Sequence, residues 1–297
     1  MSAEPAESPA APRKVRPFYW SVRRELWENR SIYLAPAVIA AVVLFGFLVS
    51  TFRLTRSLRA AMAGVERDGL MMPYAATAFV VLATSMIVAV FYSLGALQGE
   101  RRDRSILFWK SLPVSDAVTV LSKASIPVLV LPIIAFAVII GANLIMLIWS
   151  MVVALLNGIN PGELWGRLPL AFMWLVLGIS LPFLALWFAP VFAWLILVSA
   201  WARRMTILWA LGPPVALGIV ERMAFGTSHV SNLLERRLTG GFTEAFSAKG
   251  QAKAPVDSVE AFDPARLVFL GDLWVGLALA ALFLFAAIRL RRSRDPI

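Results

Sequence analysis

QGERRDRSILFWKSLPVSDAVTVLSK, residues 98–123, is the stretch of sequence that decides the fold. It lies between two long runs without charged residues, and it carries five basic against three acidic side chains. Short loops with an excess of Lys and Arg stay on the cytoplasmic side of a membrane. The stretch therefore predicts a cytoplasmic loop that is held at both ends by membrane-spanning helices, and its position orients the rest of the chain.

Two helices are predicted within residues 98–123. Residues 100–111 contain no Gly or Pro, and a charged first half followed by apolar residues predicts a helix with a solvated start. Pro113 disfavours the helical conformation at Leu112, and Ser115 can cap a second helix with Asp116 in its first turn. The four apolar side chains of residues 106–109 need a cover, which is either the membrane interface or another protein.

Composition identifies an integral membrane protein. The 297 residues are 60% apolar and 15% charged, with a mean hydropathy of +0.77, whereas globular chains are about 45 to 50% apolar and about 25% charged. The absence of Cys excludes disulfides, and a single His argues against a structural zinc site. The net charge of +10 is explained by the topology of the loops, so no nucleic-acid partner is expected.

Charge-free runs predict an all-α integral membrane protein with six transmembrane helices. About 20 apolar residues cross a bilayer, so the third and fourth runs are too long for one straight crossing each. They either project beyond the bilayer or fold back as hairpins. Six crossings with both termini inside place most of the 28 basic residues in the cytoplasm. The predicted spans are residues 31–52, 70–97, 120–157, 168–201, 205–222 and 267–288.

The segment before the first span has two parts. Residues 1–15 predict a disordered cytoplasmic tail, and residues 16–297 form a single transmembrane domain. Within residues 16–30, Arg23 and Arg24 fall on the side opposite an apolar stripe, which predicts an interfacial helix along the cytoplasmic face. The alternative is that these residues are the first turns of a longer first span. The apolar stripe of this helix consists of Phe18, Val22 and Leu26, and Trp27 adds aromatic surface to the helix.

Residues 221–270 form the one long extracytoplasmic segment of the six-span topology. Residues 230–238 predict a surface helix within it, and Gly240 and Gly241 are expected to end that helix. Residues 249–255 have the composition of a flexible linker.

Chemical motifs are scarce. No Gly is followed by Lys, so the core of a phosphate-binding P-loop is absent and no ATPase activity is expected of this chain. Ser180 matches a three-residue serine motif of intramembrane proteases, but the single His, His229, falls in the external segment, so helix packing is favoured for Ser180. Asn143 is the most polar residue within a run, and either an interhelical hydrogen bond or a contact with a transported substrate would explain it.

The central loop resembles the cytoplasmic loop of ABC type-2 permeases, the membrane subunits of ATP-binding-cassette exporters. The resemblance is strongest over residues 99–123, and it extends to the interfacial helix, the six spans, the cytoplasmic termini and the large final external loop. It implies a cytoplasmic coupling helix between spans 2 and 3 that docks into a separate ATPase subunit. The residues it assigns to ATPase coupling are Glu100, Arg101, Arg102, Asp103, Arg104, Ile106, Leu107, Phe108 and Trp109.

The same resemblance implies the partners and the location. The permease would pair with a second copy or with a homologue in a bacterial plasma membrane, in contact with membrane lipid. ATP and Mg²⁺ would bind the ATPase subunit, and this chain would hold no cofactor. Two alternatives remain at this stage: a membrane scaffold or assembly factor that transports nothing, and an intramembrane enzyme acting through Ser180.

Overall fold

The computed structural model describes residues 16–51, 55, 68–102, 114–160, 162, 168, 170–246 and 271–293. Helices are the regular elements of these residues, which contain no strand. A π-helical turn, Ile126–Val130, joins the fifth helix to the sixth. In chain order the helices are α1 Pro17–Glu28, α2 Ser31–Val49, α3 Asp68–Gly95, α4 Gln98–Arg102, α5 Asp116–Ser125, α6 Leu131–Leu156, α7 Leu170–Trp201, α8 Thr206–Phe225, α9 His229–Phe246 and α10 Gly271–Ser293.

Six helical segments are long and apolar enough to cross a membrane, which confirms the predicted all-α membrane fold. Their bounds differ by only a few residues from those of the charge-free runs, because a charged side chain is costly at the centre of a span. The segments are Ser31–Val49, Leu70–Arg102, Asp116–Leu156, Leu170–Trp201, Thr206–Phe225 and Gly271–Ser293.

The third and fourth segments are continuous, with 41 and 32 residues. At about 1.5 Å per residue they exceed the roughly 30 Å of a hydrocarbon core. They therefore project beyond the core or tilt, and the hairpin alternative is wrong. The π-helical turn interrupts only the hydrogen-bond register of the third segment. Pro127 and Pro132 lack the N–H of a regular α-helical bond, and the Leu131 N–H donates to the Ile126 carbonyl five residues back.

Helix α7 is the centre of the bundle. The most apolar 18-residue stretch of α7 is 67% buried, whereas the corresponding stretches of the other spans are 11 to 44% buried. It packs against every helix from α3 to α10. Small side chains allow the close approach of α10, where Ala189 and Ala193 of α7 meet Ala280. The two prolines within α7, Pro182 and Pro190, do not interrupt the helix.

Helix α9 is not the short surface helix that the sequence predicts. It continues through Gly240 and Gly241 to Phe246 and packs against α7 and α8. A glycine within a helix costs only about 0.5 to 1 kcal/mol relative to Ala, which tertiary contacts can offset. A Cβ on Gly240 would lie 3.4 Å from Trp187 of α7. Gly240 therefore lies within the helix and packs beside α7 instead of ending the helix.

One arginine joins α9 to α7 and α10. The Arg237 guanidinium carbon lies 4.6 Å from the Trp187 ring centroid, and the Trp187 Nε1–H donates to the Arg237 carbonyl at 3.0 Å. Arg237 also donates to the Asp272 carbonyl at 3.0 Å. The guanidinium occupies the space beside Gly276, since a Cβ there would lie 1.3 Å from Nη2. This contact therefore requires a residue without a side chain at position 276.

Candidate functional site

Seven polar side chains meet at one end of the bundle, where α1, α4, α5 and the last turns of α10 come together. Three are acids, three are bases and one is a tyrosine, so the charges balance. This group is called the basal cluster here, and its end of the molecule the basal end. The members are Arg24, Glu25, Tyr92, Glu100, Asp116, Lys123 and Arg291.

Glu25 is the most deeply buried acid of the cluster, with 0% of its surface exposed. Its Oε1 accepts from Lys123 Nζ and from Arg24 Nη2, both at 2.8 Å. The Tyr92 hydroxyl donates to the other oxygen, Oε2, at 2.8 Å. A buried charge is tolerated only when it is paired and hydrogen-bonded, and Glu25 meets both conditions.

Glu100 connects three elements. Its Oε1 lies 3.1 Å from Arg24 Nη2 and 3.2 Å from Lys123 Nζ, and its Oε2 accepts from Arg291 Nη1 at 2.7 Å. Arg291 also donates from Nε to Asp116 Oδ1 at 3.0 Å. The two flanks of the central loop, α4 and α5, are thereby tied to the first helix and to the last span.

Arg101 fastens α4 to the central helix. Its side chain is buried, and Nη2 donates to the carbonyls of Ser199 and Ala202 at 2.6 and 2.8 Å. These carbonyls lie at the C-terminal end of α7, where the last turn leaves acceptors unsatisfied and a cation is favourable. The Leu97 N–H donates to the Ser199 hydroxyl at 3.2 Å, which adds a second link.

Local sequence places the charged groups of α5. The Ser115 hydroxyl accepts from the Val118 N–H at 3.3 Å, and Asp116 occupies the first turn, which confirms the predicted start of this helix. Lys123 follows Asp116 by seven residues, close to two helical turns, so both side chains lie on one face of α5. This face packs towards α1 and α10.

The surroundings of Glu25 and Glu28 on α1 differ, and their pKa values move in opposite directions. Burial alone would raise the pKa of Glu25, but the charge and hydrogen bond of Lys123 and the hydrogen bonds from Arg24 and Tyr92 hold it below its ordinary value. Partial burial raises the pKa of Glu28, whose closest cation is Arg24 Nε at 3.5 Å. Glu25 is therefore ionised throughout the neutral range.

The predicted coupling residues separate into three groups. Arg102 is exposed. Glu100 and Arg101 are buried, so the predicted solvated start of the helix is wrong for these two, because partners within the chain satisfy both side chains. The remaining six lie outside the described residues: Asp103, Arg104, Ile106, Leu107, Phe108 and Trp109.

A separate helix, α1, is present where the interfacial helix is predicted, and the irregular pair Asn29 and Arg30 separates it from the first span. The alternative of one longer first span is therefore wrong. Two residues of its predicted stripe, Val22 and Leu26, pack against the core, whereas Phe18 and Trp27 are exposed. Arg24 was expected on the opposite side, but it reaches inward because Glu25 and Glu100 attract it.

Sequence reasoning missed Glu25, Lys123 and Arg291 as members of a site. One signal was available for Glu25, which falls three residues after Val22 and one before Leu26 and so interrupts an apolar helical stripe with an acid. Lys123 immediately precedes a charge-free run, and Arg291 closely follows another. Both positions are typical of the basic residues that flank membrane spans, so neither residue stood out in the sequence.

Asn143 lies within α6 and is fully buried. Neither its amide oxygen nor its amide nitrogen has a hydrogen-bond partner among the described residues, so the expected interhelical hydrogen bond is not formed.

The Ser180 hydroxyl is also buried without a partner in the described chain, while His229 is exposed at the start of α9. No base lies within hydrogen-bonding distance of Ser180 in that part of the chain.

Comparisons with family models, with curated proteins and with solved structures return no match to this chain. Among the described residues, no group of three His, Cys, Asp or Glu side chains is arranged to hold a metal ion.

What the basal cluster can do follows from its geometry. Its charged members join α1, α4, α5 and α10, so a displacement of one of these helices must break or exchange charged hydrogen bonds with the others.

Proposed function

We propose that this protein is the membrane-spanning permease subunit of an ATP-binding-cassette exporter and is driven by a separate ATPase subunit. The observation that supports the proposal best is the attachment of both flanks of the 98–123 loop to the basal cluster. Glu100 lies on one flank and Asp116 and Lys123 on the other, and their partners lie on α1 and α10. A force applied to the loop would reach α1 and the last span through these bonds.

The proposed docking surface is the apolar part of the loop, residues 106–109. Burying one large aromatic side chain contributes about 1.5 to 3 kcal/mol, whereas an exposed ion pair contributes under about 1 kcal/mol. Phe108 and Trp109 would therefore supply most of the affinity for the ATPase, and charged residues such as the exposed Arg102 would set its orientation. Glu100 and Arg101 would act differently, by fixing the root of the loop to the permease.

The orientation belongs to the same proposal. With the basal end in the cytoplasm, the N-terminal segment, the 98–123 loop and the C-terminus would all face the ATPase, and α9 would lie towards the outside. A second permease copy or homologue would complete the translocation path. ATP and Mg²⁺ would bind only the partner subunit.

Copurification tests the proposal. The chain is purified from its native membrane in mild detergent, and partners are identified by mass spectrometry. We expect an ATPase subunit among them, and we expect the purified chain alone to hydrolyse no ATP. A preparation that retains its other partners but contains no ATPase would contradict the proposal and favour a scaffold.

Variants of the loop test the docking surface. Phe108→Ala combined with Trp109→Ala should release the ATPase from membranes that contain equal amounts of permease. Phe45→Ala is the matched control, because Phe45 is 69% exposed on α2, far along the chain from the loop. Full retention of the ATPase by the double variant would mean that the docking surface lies elsewhere.

A further inference from the structure

Helix α1 has a second face that the basal cluster does not use. Trp20, Arg23 and Trp27 are separated by three and four residues, so they lie together on one side of the helix. Glu25 points to the opposite side, towards the bundle. Arg16 and Arg30 stand at the two ends of the same helix, and both are exposed. These five residues are called the Arg/Trp face.

The Arg/Trp face is organised around Arg23. Its guanidinium carbon lies 5.2 Å from the Trp20 ring centroid and 4.8 Å from that of Trp27, so the cation contacts both rings. The rings themselves are 54% and 66% exposed. Arg16, Arg23 and Arg30 form no ion pair or side-chain hydrogen bond with any residue that the structure describes. Three guanidinium groups, one on α1 and one beyond each of its ends, thus have no anionic partner among the described residues.

The position of α1 along the chain indicates what surrounds this face. The first apolar segment begins at Ser31, directly after Arg30, so α1 lies at the end of a membrane-crossing helix. Tryptophan is enriched at that level of a bilayer because its ring is apolar with one polar edge. Phe18 and Tyr19 add further exposed aromatic surface to α1. These side chains match the boundary between headgroups and acyl chains better than bulk water.

The charge of the face indicates the chemistry of its ligand. A guanidinium binds phosphate through two parallel N–H···O bonds, and stacking on aromatic rings leaves its N–H edge available for such bonds. Acidic side chains on α1 do not compete for this edge, since Glu25 is buried in the basal cluster and Glu28 pairs with Arg24.

We propose that the Arg/Trp face binds the headgroups of anionic phospholipids, with Arg23 as the central phosphate ligand. Trp20 and Trp27 insert among the headgroups on either side of the phosphate, and Arg16 and Arg30 attract further anionic lipid. The lipid would hold α1 against the bundle from outside, on the side opposite the ion pairs of Glu25.

Native mass spectrometry of the full chain tests this proposal. Phosphatidylglycerol and phosphatidylcholine with identical acyl chains are added in turn to delipidated protein, and the apparent dissociation constant of the first bound lipid is measured. Each basic residue near an anionic surface contributes to such binding, so we expect phosphatidylglycerol to bind about tenfold or more tightly. Equal binding of the two lipids by the unmodified chain would overturn the proposal.

A charge-matched pair of variants locates the site. Arg16→Gln, Arg23→Gln and Arg30→Gln are combined in one variant, and Arg203→Gln, Arg204→Gln and Arg222→Gln, which are also exposed, in the control. The first should lose most of the preference for phosphatidylglycerol, while the control keeps it. Equal losses would mean that only net charge matters and would refute a site on α1.

A conservative variant covers the case in which the triple variant fails to fold. Arg23→Lys keeps the charge but removes the planar guanidinium that contacts the two rings, so we expect phosphatidylglycerol to bind about threefold or more weakly at an unchanged unfolding temperature. Unchanged affinity would refute the role of Arg23. If the face instead binds an acidic protein, the unmodified chain would show no lipid preference and the triple variant would lose a copurifying protein, which would also overturn the proposal.

Discussion

Replacing Glu25 by Gln tests the basal cluster at its most buried acid. The substitution keeps the shape of the side chain and removes its charge. Lys123 is 3% exposed and would lose its 2.8 Å partner, keeping only Glu100 at 3.2 Å. Removing one member of a buried ion pair costs about 3 to 5 kcal/mol, because the remaining charge stays desolvated. The second bond of Lys123 to Glu100 places the expected loss near the lower end of that range.

Thermal unfolding of the full chain in mild detergent measures the effect. A loss of about 3 to 5 kcal/mol lowers the Tm by on the order of 6 to 20 °C for a chain of this size. Glu28→Gln is the matched control on the same helix, since the Glu28 side chain is 48% exposed and lies 3.5 Å from Arg24. An exposed pair contributes about 1 kcal/mol or less, so the control should change the Tm by only a few degrees.

A double variant separates a buried unpaired charge from a general loss of packing. Lys123→Met removes the cation with little change in volume, and replacing both members of a buried pair by uncharged groups is often close to neutral. Glu25→Gln with Lys123→Met should therefore recover much of the stability that Glu25→Gln loses. Equal Tm values for Glu25→Gln and Glu28→Gln, or no recovery in the double variant, would refute the electrostatic account of the cluster.

Three further predictions use the same unfolding measurement. Gly276→Ala should displace the Arg237 guanidinium that packs beside this glycine and cost about 1 kcal/mol, because the hydrogen bond to the Asp272 carbonyl is lost. Gly271→Ala, which meets nothing within 4 Å, is the control, and equal effects of the two substitutions would contradict the contact. Arg101→Ala should cost about 1.5 to 3 kcal/mol through its charged hydrogen bonds to the end of α7, whereas Arg204→Ala, at an exposed position, should cost little. Because the pKa of Glu25 is lowered on folding, its contribution is complete above the ordinary value of 4.5 and is lost as the pH falls below it, so the acid-induced loss of stability should be smaller in Glu25→Gln.

The spans could be predicted from sequence because the bilayer imposes a local rule. Each crossing must be apolar over its whole length, so charge-free runs mark α2, α3, α6, α7, α8 and α10 one by one. The continuation of α9 through Gly240 was not predictable in this way. Gly240 packs beside Trp187, which lies 53 positions earlier in the chain, and this contact forms only on folding. Local helix propensity is a weak prior when a tertiary contact of this kind exists.

The basal cluster was not predictable for a related reason. A charged residue close to a predicted span is ordinarily solvated, and nothing in a single sequence links Glu25 to Lys123 or Glu100 to Arg291. These pairs join residues 98 and 191 positions apart. Only the interrupted apolar stripe of α1 indicated that Glu25 faces inward, and it does not identify the cation that Glu25 meets.

The geometry of Lys123 bears on how the proposed coupling could work. Its Nζ lies 2.8 Å from Glu25 and 3.2 Å from Glu100, so one buried cation bridges the first helix and the root of the loop. If the ATPase displaced the loop, Lys123 could remain with Glu25 while Glu100 kept Arg291 at 2.7 Å. Each acid would still hold a cation, so the rearrangement would leave no buried charge unpaired and would avoid the largest electrostatic cost. If each charge of the cluster had a single partner, the same movement of the loop would leave a buried charge without a partner.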